Sequence, residues 1–463
     1  MQIRIFFIVI QSFLLRMAVL LRRLFGLRSI SALEYNQFRA SFYRKQVCFA
    51  AERNLFFSHN GDMLPCCFNR EFVFGDVDSQ KIPGVLSGER RRTLAEKLRN
   101  NDFSSGCEVC HKKIETCDYR SIGARVYDFF HAPTNPMPLI MEFELSQNCN
   151  LDCIMCPPEL HAHSRSTVYN EEFLDGLKPY LLKLKKARFF GGEPFLIQEY
   201  YAIWDFLITN NKTCLNLVQT NGTVLSQRIK DILTNGNFAL SISVDSLQKE
   251  MYEKIRAGAH FEQFQENLNW FFDHTKRKKT YINFAICPMT VNAKEIPEIV
   301  RFANNLGARV NFNTVDFPKT LSLKHLPSSE LKEIILLYKT EEFKSRNSVA
   351  RYNAQHFRSL ISRIEGYFRD AISNEQEVRV SFTKAELLEL LQRKLPHTAE
   401  DALLDKLKLA VDGLKMEIKL RETDVLQINS VESLVFEAWV AGNANAALIE
   451  KFSAIILYGF QEM

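Results

Sequence analysis

Three cysteines stand within eight residues, Cys149-Asn150-Leu151-Asp152-Cys153-Ile154-Met155-Cys156. Thiolates are soft ligands suited to iron–sulfur clusters and zinc. Three of them satisfy three irons of a four-iron cube and leave the fourth open to a ligand. A zinc site normally takes four ligands, and only His161 or His163, in what reads as an exposed loop, could supply a fourth nearby. Further on, Gly191-Gly192-Glu193-Pro194 joins glycines, which let a backbone approach a ligand closely, to a carboxylate that can accept from an ammonium group.

A second set lies upstream. Twelve residues separate Cys48 from Gly61, four more lead to Cys66, and Cys107-Glu108-Val109-Cys110 and Cys117 follow. The CxxC half also permits a four-cysteine zinc site. Cys107 to His111 spells the CxxCH of haem attachment, but that chemistry usually requires export, and no credible signal is present. Cys67 and Cys117 are spare, with either open as a replacement ligand, and Cys214 reads as a buried small hydrophobe. Cys287 could face a pocket and donate a hydrogen atom.

Elements must hold these groups in place. From Pro138 onward, strand-like runs at 139–145, 187–190, 215–220, 239–244, 280–287 and 309–313 alternate with helix-period segments. That alternation predicts α/β architecture, a partial (β/α)6 barrel, with the cysteine loop at the carboxyl end of its first strand, where parallel barrels carry their chemistry. Residues 46–120 show many turn residues and one helix near 91–99, too little core to stand without a metal staple. After residue 322 the pattern is helical, with a capping box at Thr383-Lys384-Ala385-Glu386. The expected divisions are 1–45 (basic, apolar), 46–120 (cysteine-rich), 138–320 (barrel) and 322–463 (helical).

Composition narrows the classes. The chain has 463 residues, 46% apolar and 24% charged, as a folded protein should. Its surplus of 59 Lys and Arg over 54 Asp and Glu lies within residues 1–30, which carry Arg4, Arg16, Arg22, Arg23 and Arg28 and no acid. The balanced remainder lacks the footprint of nucleic-acid binding. Ile5–Leu15 is too short to span a bilayer, so residues 1–30 suggest at most a weak membrane-surface contact, or a true start at Met17. Nine of the eleven cysteines lie between 48 and 156, a pattern of metal ligation in a reducing cytoplasm rather than of a disulfide framework.

The CxxxCxxC loop followed by GGEP resembles the radical SAM superfamily, with Met155 where an aromatic residue is usual. The resemblance implies a site-differentiated 4Fe-4S cluster on Cys149, Cys153 and Cys156, and S-adenosylmethionine at Gly191, Gly192, Glu193 and Pro194. By looser matches, Ser243 and Asp245 would meet the ribose, Arg256 the cofactor carboxylate, and Asn221 the same pocket. Cys48, Cys66, Cys107 and Cys110 resemble a SPASM or twitch auxiliary module holding one further 4Fe-4S cluster, here placed before the barrel rather than after it. Implied activities are radical modification of a peptide or protein, or dehydrogenation or rearrangement of a small metabolite or envelope sugar, with a flavodoxin or ferredoxin as reductant. A non-catalytic iron–sulfur or zinc-binding interaction protein is the remaining alternative.

Overall fold

The computed structural model describes residues 35, 36, 39, 46–115, 119, 122–128, 137–157, 168–343, 347–376, 379–382, 389 and 418–421. Six parallel strands run in chain order: β4 Ile140–Phe143, β5 Lys186–Phe189, β6 Leu215–Thr220, β7 Phe238–Ser243, β8 Ile282–Ile286 and β9 Arg309–Phe312. They coincide with the strands expected from the sequence to within a few residues, because short apolar runs between helix-period segments can be buried only as a parallel sheet covered by helices.

The two faces of the sheet differ. Phe143 stacks on Phe189, which meets Tyr200 and Trp204 of the helix Gln198–Asn210 edge-on, so these odd-numbered positions face the helices. Side chains alternate along a strand, so Glu142, Glu144 and Arg188 lie on the opposite, concave face. Each following loop is stopped by ordinary chemistry: Asn170 caps Glu171–Leu181 through Phe173 N, Ser226 caps Gln227–Asn235 through Ile229 N, and Gly307 ends Ile296–Leu306 at φ +75°.

The cysteine-rich segment is not a separate module beside the barrel. Its β1, Asn54–Phe57, pairs parallel with β4, Phe56 opposite Glu142, and leads through an antiparallel hairpin to β2 (Asp62–Leu64) and β3 (Gly75–Asp76). The result is one nine-stranded sheet in the order β3-β2-β1-β4-β5-β6-β7-β8-β9. Asn54-Leu55-Phe56-Phe57 is buried throughout, as a strand paired on both sides within the sheet should be. The sequence reading missed this strand, and it missed the helix Glu108–Glu115 that carries half of the CxxC pair. The helix Glu89–Arg99 falls where expected.

At the opposite edge, Asn353 of the long helix Ser348–Gln376 donates to Ala308 O (2.8 Å), just before β9, and accepts from Val310 N (2.9 Å) within it, so it occupies backbone groups where that strand begins. By contact pattern the chain divides at residue 368. In the second unit, Arg379–Phe382 and Ile418–Arg421 pair antiparallel, strands that the helical expectation for 322–463 did not include. The capping box at 383–386 lies outside the described residues, as do Met1, Met17 and the arginines of residues 1–30. Among the described residues no helix is long and apolar enough to cross a membrane.

Candidate functional site

The cysteine loop leaves β4 and is stitched to two other strand ends. Asp152 N donates to Ala257 O (2.9 Å) and Ile154 N to Ile255 O (3.0 Å), which pins the loop to the segment after β7. Gly192 N donates to Ser146 O and Glu193 N to Asn148 O, which lays the GGEP segment along its other side. The glycines are required by this contact. A Cβ on Gly191, at φ +111°, would stand 2.2 Å from Ser146 O, and one on Gly192 would stand 2.2 Å from Asn148 O. Cys149 is half-buried, Cys153 buried and Cys156 exposed, so the three thiols run from the interior to the mouth.

Glu193 is fully buried, and its carboxylate is committed to the protein. It accepts from Phe195 N (3.1 Å), Thr220 Oγ1 (2.8 Å) and Asn221 N (2.8 Å). Burial nevertheless pushes its pKa up to about 7. Its place is that of a brace between strand ends, rather than the open acceptor expected for an ammonium group. Asn221 extends the brace: its Nδ2 reaches Asn150 Oδ1 (3.0 Å) and Cys149 Sγ (3.8 Å). Pro194 opens a short 3-10 turn, Pro194–Leu196.

Arg256 and Asp245 form a buried ion pair 2.5 Å apart. Asp245 also accepts from Cys287 N (2.7 Å), so both its carboxylate oxygens are engaged, and the half-buried Ser243 is left as the more accessible of the two residues expected at a ribose. Arg256 places a second nitrogen 3.9 Å from Cys153 Sγ, and its Nε has no hydrogen-bond partner among the described residues. A thiol hydrogen bond from Cys156, aided by the Arg256 charge, pulls Cys153 down, while the same pairing pushes Cys156 up. A thiolate is what iron requires. Cys287 packs beside the loop in an apolar cluster with Ile154, Met155, Ile255 and Met289, and burial pushes its thiol up to about 12. Cys214 is buried away from these groups, beneath Asn211 O.

Cys48, Cys66, Cys107 and Cys110 line one pocket whose walls include Leu94, Leu98, Phe103 and Tyr127. Burial pushes all four thiols above the ordinary range. A cavity whose sulfurs converge among apolar walls fits a closed cluster better than it fits four idle thiols. Cys67 does not line it; Cys117, His161 and His163 lie outside the described residues. Among the described residues no three His, Cys, Asp or Glu side chains share a single metal-ion position.

Between the two cysteine sets lies a polar bridge that the sequence reading did not foresee. Glu142, fully buried on β4, accepts from Asn54 Nδ2 (3.0 Å), Cys67 N (3.2 Å) and Tyr127 OH (2.9 Å), and pairs with Arg188 of β5. One turn of the pleat onward, Glu144 takes two hydrogen bonds from Arg70 (3.0 and 2.7 Å) and contacts His59 Nδ1 at 3.2 Å. Gln147, two residues before Cys149, touches both His59 and Glu144. The only sequence signal was two acids on alternate positions of a strand, a hint that the face they share is polar.

Two stretches of the chain match known protein families. Residues 143–303 match the Radical SAM superfamily, and residues 48–112 match the SPASM iron–sulfur cluster-binding domain. The chain therefore carries a radical SAM domain preceded by a SPASM-type iron–sulfur domain. Both cofactor types follow from those domains: a 4Fe-4S cluster with S-adenosylmethionine, and an auxiliary iron–sulfur cluster. Among curated relatives, a probable GTP 3',8-cyclase of Methanocaldococcus jannaschii is 25% identical over 36% of this chain and 56% of its own length. The antilisterial bacteriocin subtilosin biosynthesis protein AlbA of Bacillus subtilis is 27% identical over 39% of this chain and 40% of its own. The chain therefore spans about half the length of those relatives. Streptococcus suis SuiB, solved with its precursor peptide SuiA, aligns over 51% of this chain and 59% of its own at 14% identity and a TM-score of 0.34.

Proposed function

We propose that this protein cleaves S-adenosylmethionine reductively and abstracts hydrogen from a peptide or protein substrate. The observation that carries the reading is the locking of the three-cysteine loop against both the GGEP segment and residues 255–257 at the carboxyl ends of the strands. When bound there, the cluster and nucleotide together supply a 5'-deoxyadenosyl radical able to take hydrogen from an unreactive carbon. The chain's own residues do the rest. Cys149, Cys153 and Cys156 are the proposed ligands of that cluster. The Gly191-Gly192 backbone offers the close approach an amino group needs. Arg256 holds Asp245 and has one unpartnered nitrogen with which to orient a carboxylate. Ile154, Met155 and Met289 give the nucleotide an apolar wall that excludes water. His59 is held at Nδ1 by Glu144 and Gln147, close to the start of the cysteine loop.

A peptide substrate is supported by the auxiliary module and by the relative named for bacteriocin biosynthesis. A small nucleotide is the second reading, favoured by the GTP 3',8-cyclase relatives. A flavodoxin or ferredoxin is the proposed reductant. Anaerobic reconstitution should give about eight irons per chain, from two four-iron clusters. Dithionite with S-adenosylmethionine should then release 5'-deoxyadenosine, and a reconstituted protein that releases none refutes the reading. Mass spectrometry of peptides encoded beside the gene, run against GTP consumption in parallel, separates the two substrates.

A further inference from the structure

Cys66 of the auxiliary cavity and the barrel interior are joined by a continuous buried chain. Tyr127 forms part of the cavity wall and donates its hydroxyl to Glu142. Asn54 clasps the same carboxylate oxygen while donating also to Pro65 O, the residue before Cys66. The Cys67 N–H, the first amide after Cys66, is likewise turned onto Glu142. Arg188 answers Glu142 from the neighbouring strand, keeps an unpartnered Nε, and lies over the Phe190 ring at 4.7 Å, next to Gly191. The second ion pair near the cavity, Arg39 with Asp128, approaches it from the Cys48 side.

We propose that the Glu142–Arg188 pair sets the reduction potential of the auxiliary cluster and ties that potential to the concave face of the barrel. The inference rests on the assignment of Cys48, Cys66, Cys107 and Cys110 as ligands of one cluster. Cluster potentials follow local charge, hydrogen bonding and solvent exposure. The walls are largely apolar and three of the four thiols are buried, so fixed charges beside the cavity are screened less than they would be at the surface. A lone carboxylate at Glu142 disfavours the added electron; the guanidinium of Arg188 offsets it. Arg188 also lies over the ring of Phe190, the residue before Gly191, so the pair's cation borders the strand end that leads into the GGEP segment.

The test is an electron-paramagnetic-resonance redox titration of the reconstituted full chain. Cys149, Cys153 and Cys156 are replaced by Ala so that only the auxiliary cluster reports. Glu142→Gln should raise the midpoint and Arg188→Gln should lower it. Each should change the oxidised-to-reduced ratio at the wild-type midpoint by tenfold or more, about 59 mV for one electron. Arg188→Lys, which keeps the charge, should return the midpoint towards wild type, and this Arg188 series stands alone if Glu142→Gln does not load iron. Unchanged midpoints in iron-loaded variants, or shifts of one sign for both, overturn the inference. A parent chain that loads no redox-active cluster instead refutes the ligand assignment beneath it.

Discussion

The two cysteine sets are built on opposite plans. In the auxiliary segment four thiols converge on an apolar cavity, three of them buried and Cys107 half-buried, with no opening needed for a substrate. In the barrel loop three thiols run outward to the exposed Cys156, and their surroundings are hydrogen-bonded glycines, an asparagine, a glutamate and an ion pair. A closed cluster needs a dry box. An open one needs a rigid rim with a position left free, and rigidity at a rim that also meets water comes from backbone and side-chain hydrogen bonds rather than from apolar packing.

That contrast can be broken by mutation. The largest effect should come from replacing Cys149, Cys153 and Cys156 by Ala. Release of 5'-deoxyadenosine should vanish while about half the iron, the share of one of two four-iron clusters, remains; loss of all the iron would mean the two sets are not independent. Next, Gly192→Ala drives a methyl into Asn148 O and must displace the cysteine loop, so nucleotide binding should weaken at least tenfold by equilibrium dialysis, whereas Gly84→Ala, in open space, should leave it unchanged.

Glu193→Gln tests the brace through pH. Its folded pKa is raised to about 7 from 4.5, so the folded chain holds a proton that the unfolded chain has lost. Stability from this group is therefore full below about 4.5 and falls as pH rises to about 7. Glutamine should remove that slope, on the order of 3 kcal/mol across the window, in urea titrations at pH 5 and pH 7. Parallel slopes in both proteins would count against a strained carboxylate. The smallest effect belongs to Cys67→Ser: it should leave the auxiliary iron content unchanged, because Cys67 faces Glu142 and not the cavity.

Much of this was readable from residue order. The barrel strands appeared because buried parallel strands are written as compact apolar runs, and the two cysteine sets because thiol spacing within a loop is local. The auxiliary set was legible although its two halves lie far apart, since Cys48 with Cys66 and Cys107 with Cys110 each keep their own spacing. Side-chain roles were less legible. Glu193 and Asp245 looked like acceptors for a ligand, yet both carboxylates are occupied by protein donors, and which donor reaches an oxygen depends on loops distant in the chain.

Spacing and residue type alone therefore limit the chemistry available to this protein: two groups of thiols suited to clusters, glycines for a tight approach, and a parallel sheet to carry them. Only the folded chain decides that the cysteine-rich hairpin joins the sheet beside β4, and that Glu142 consequently stands between the two sites. The reason is physical. Spacing constrains residues that neighbour one another along the backbone, whereas β1 meets β4 across more than eighty residues, and such a pairing is chosen by which apolar strand best covers an open edge.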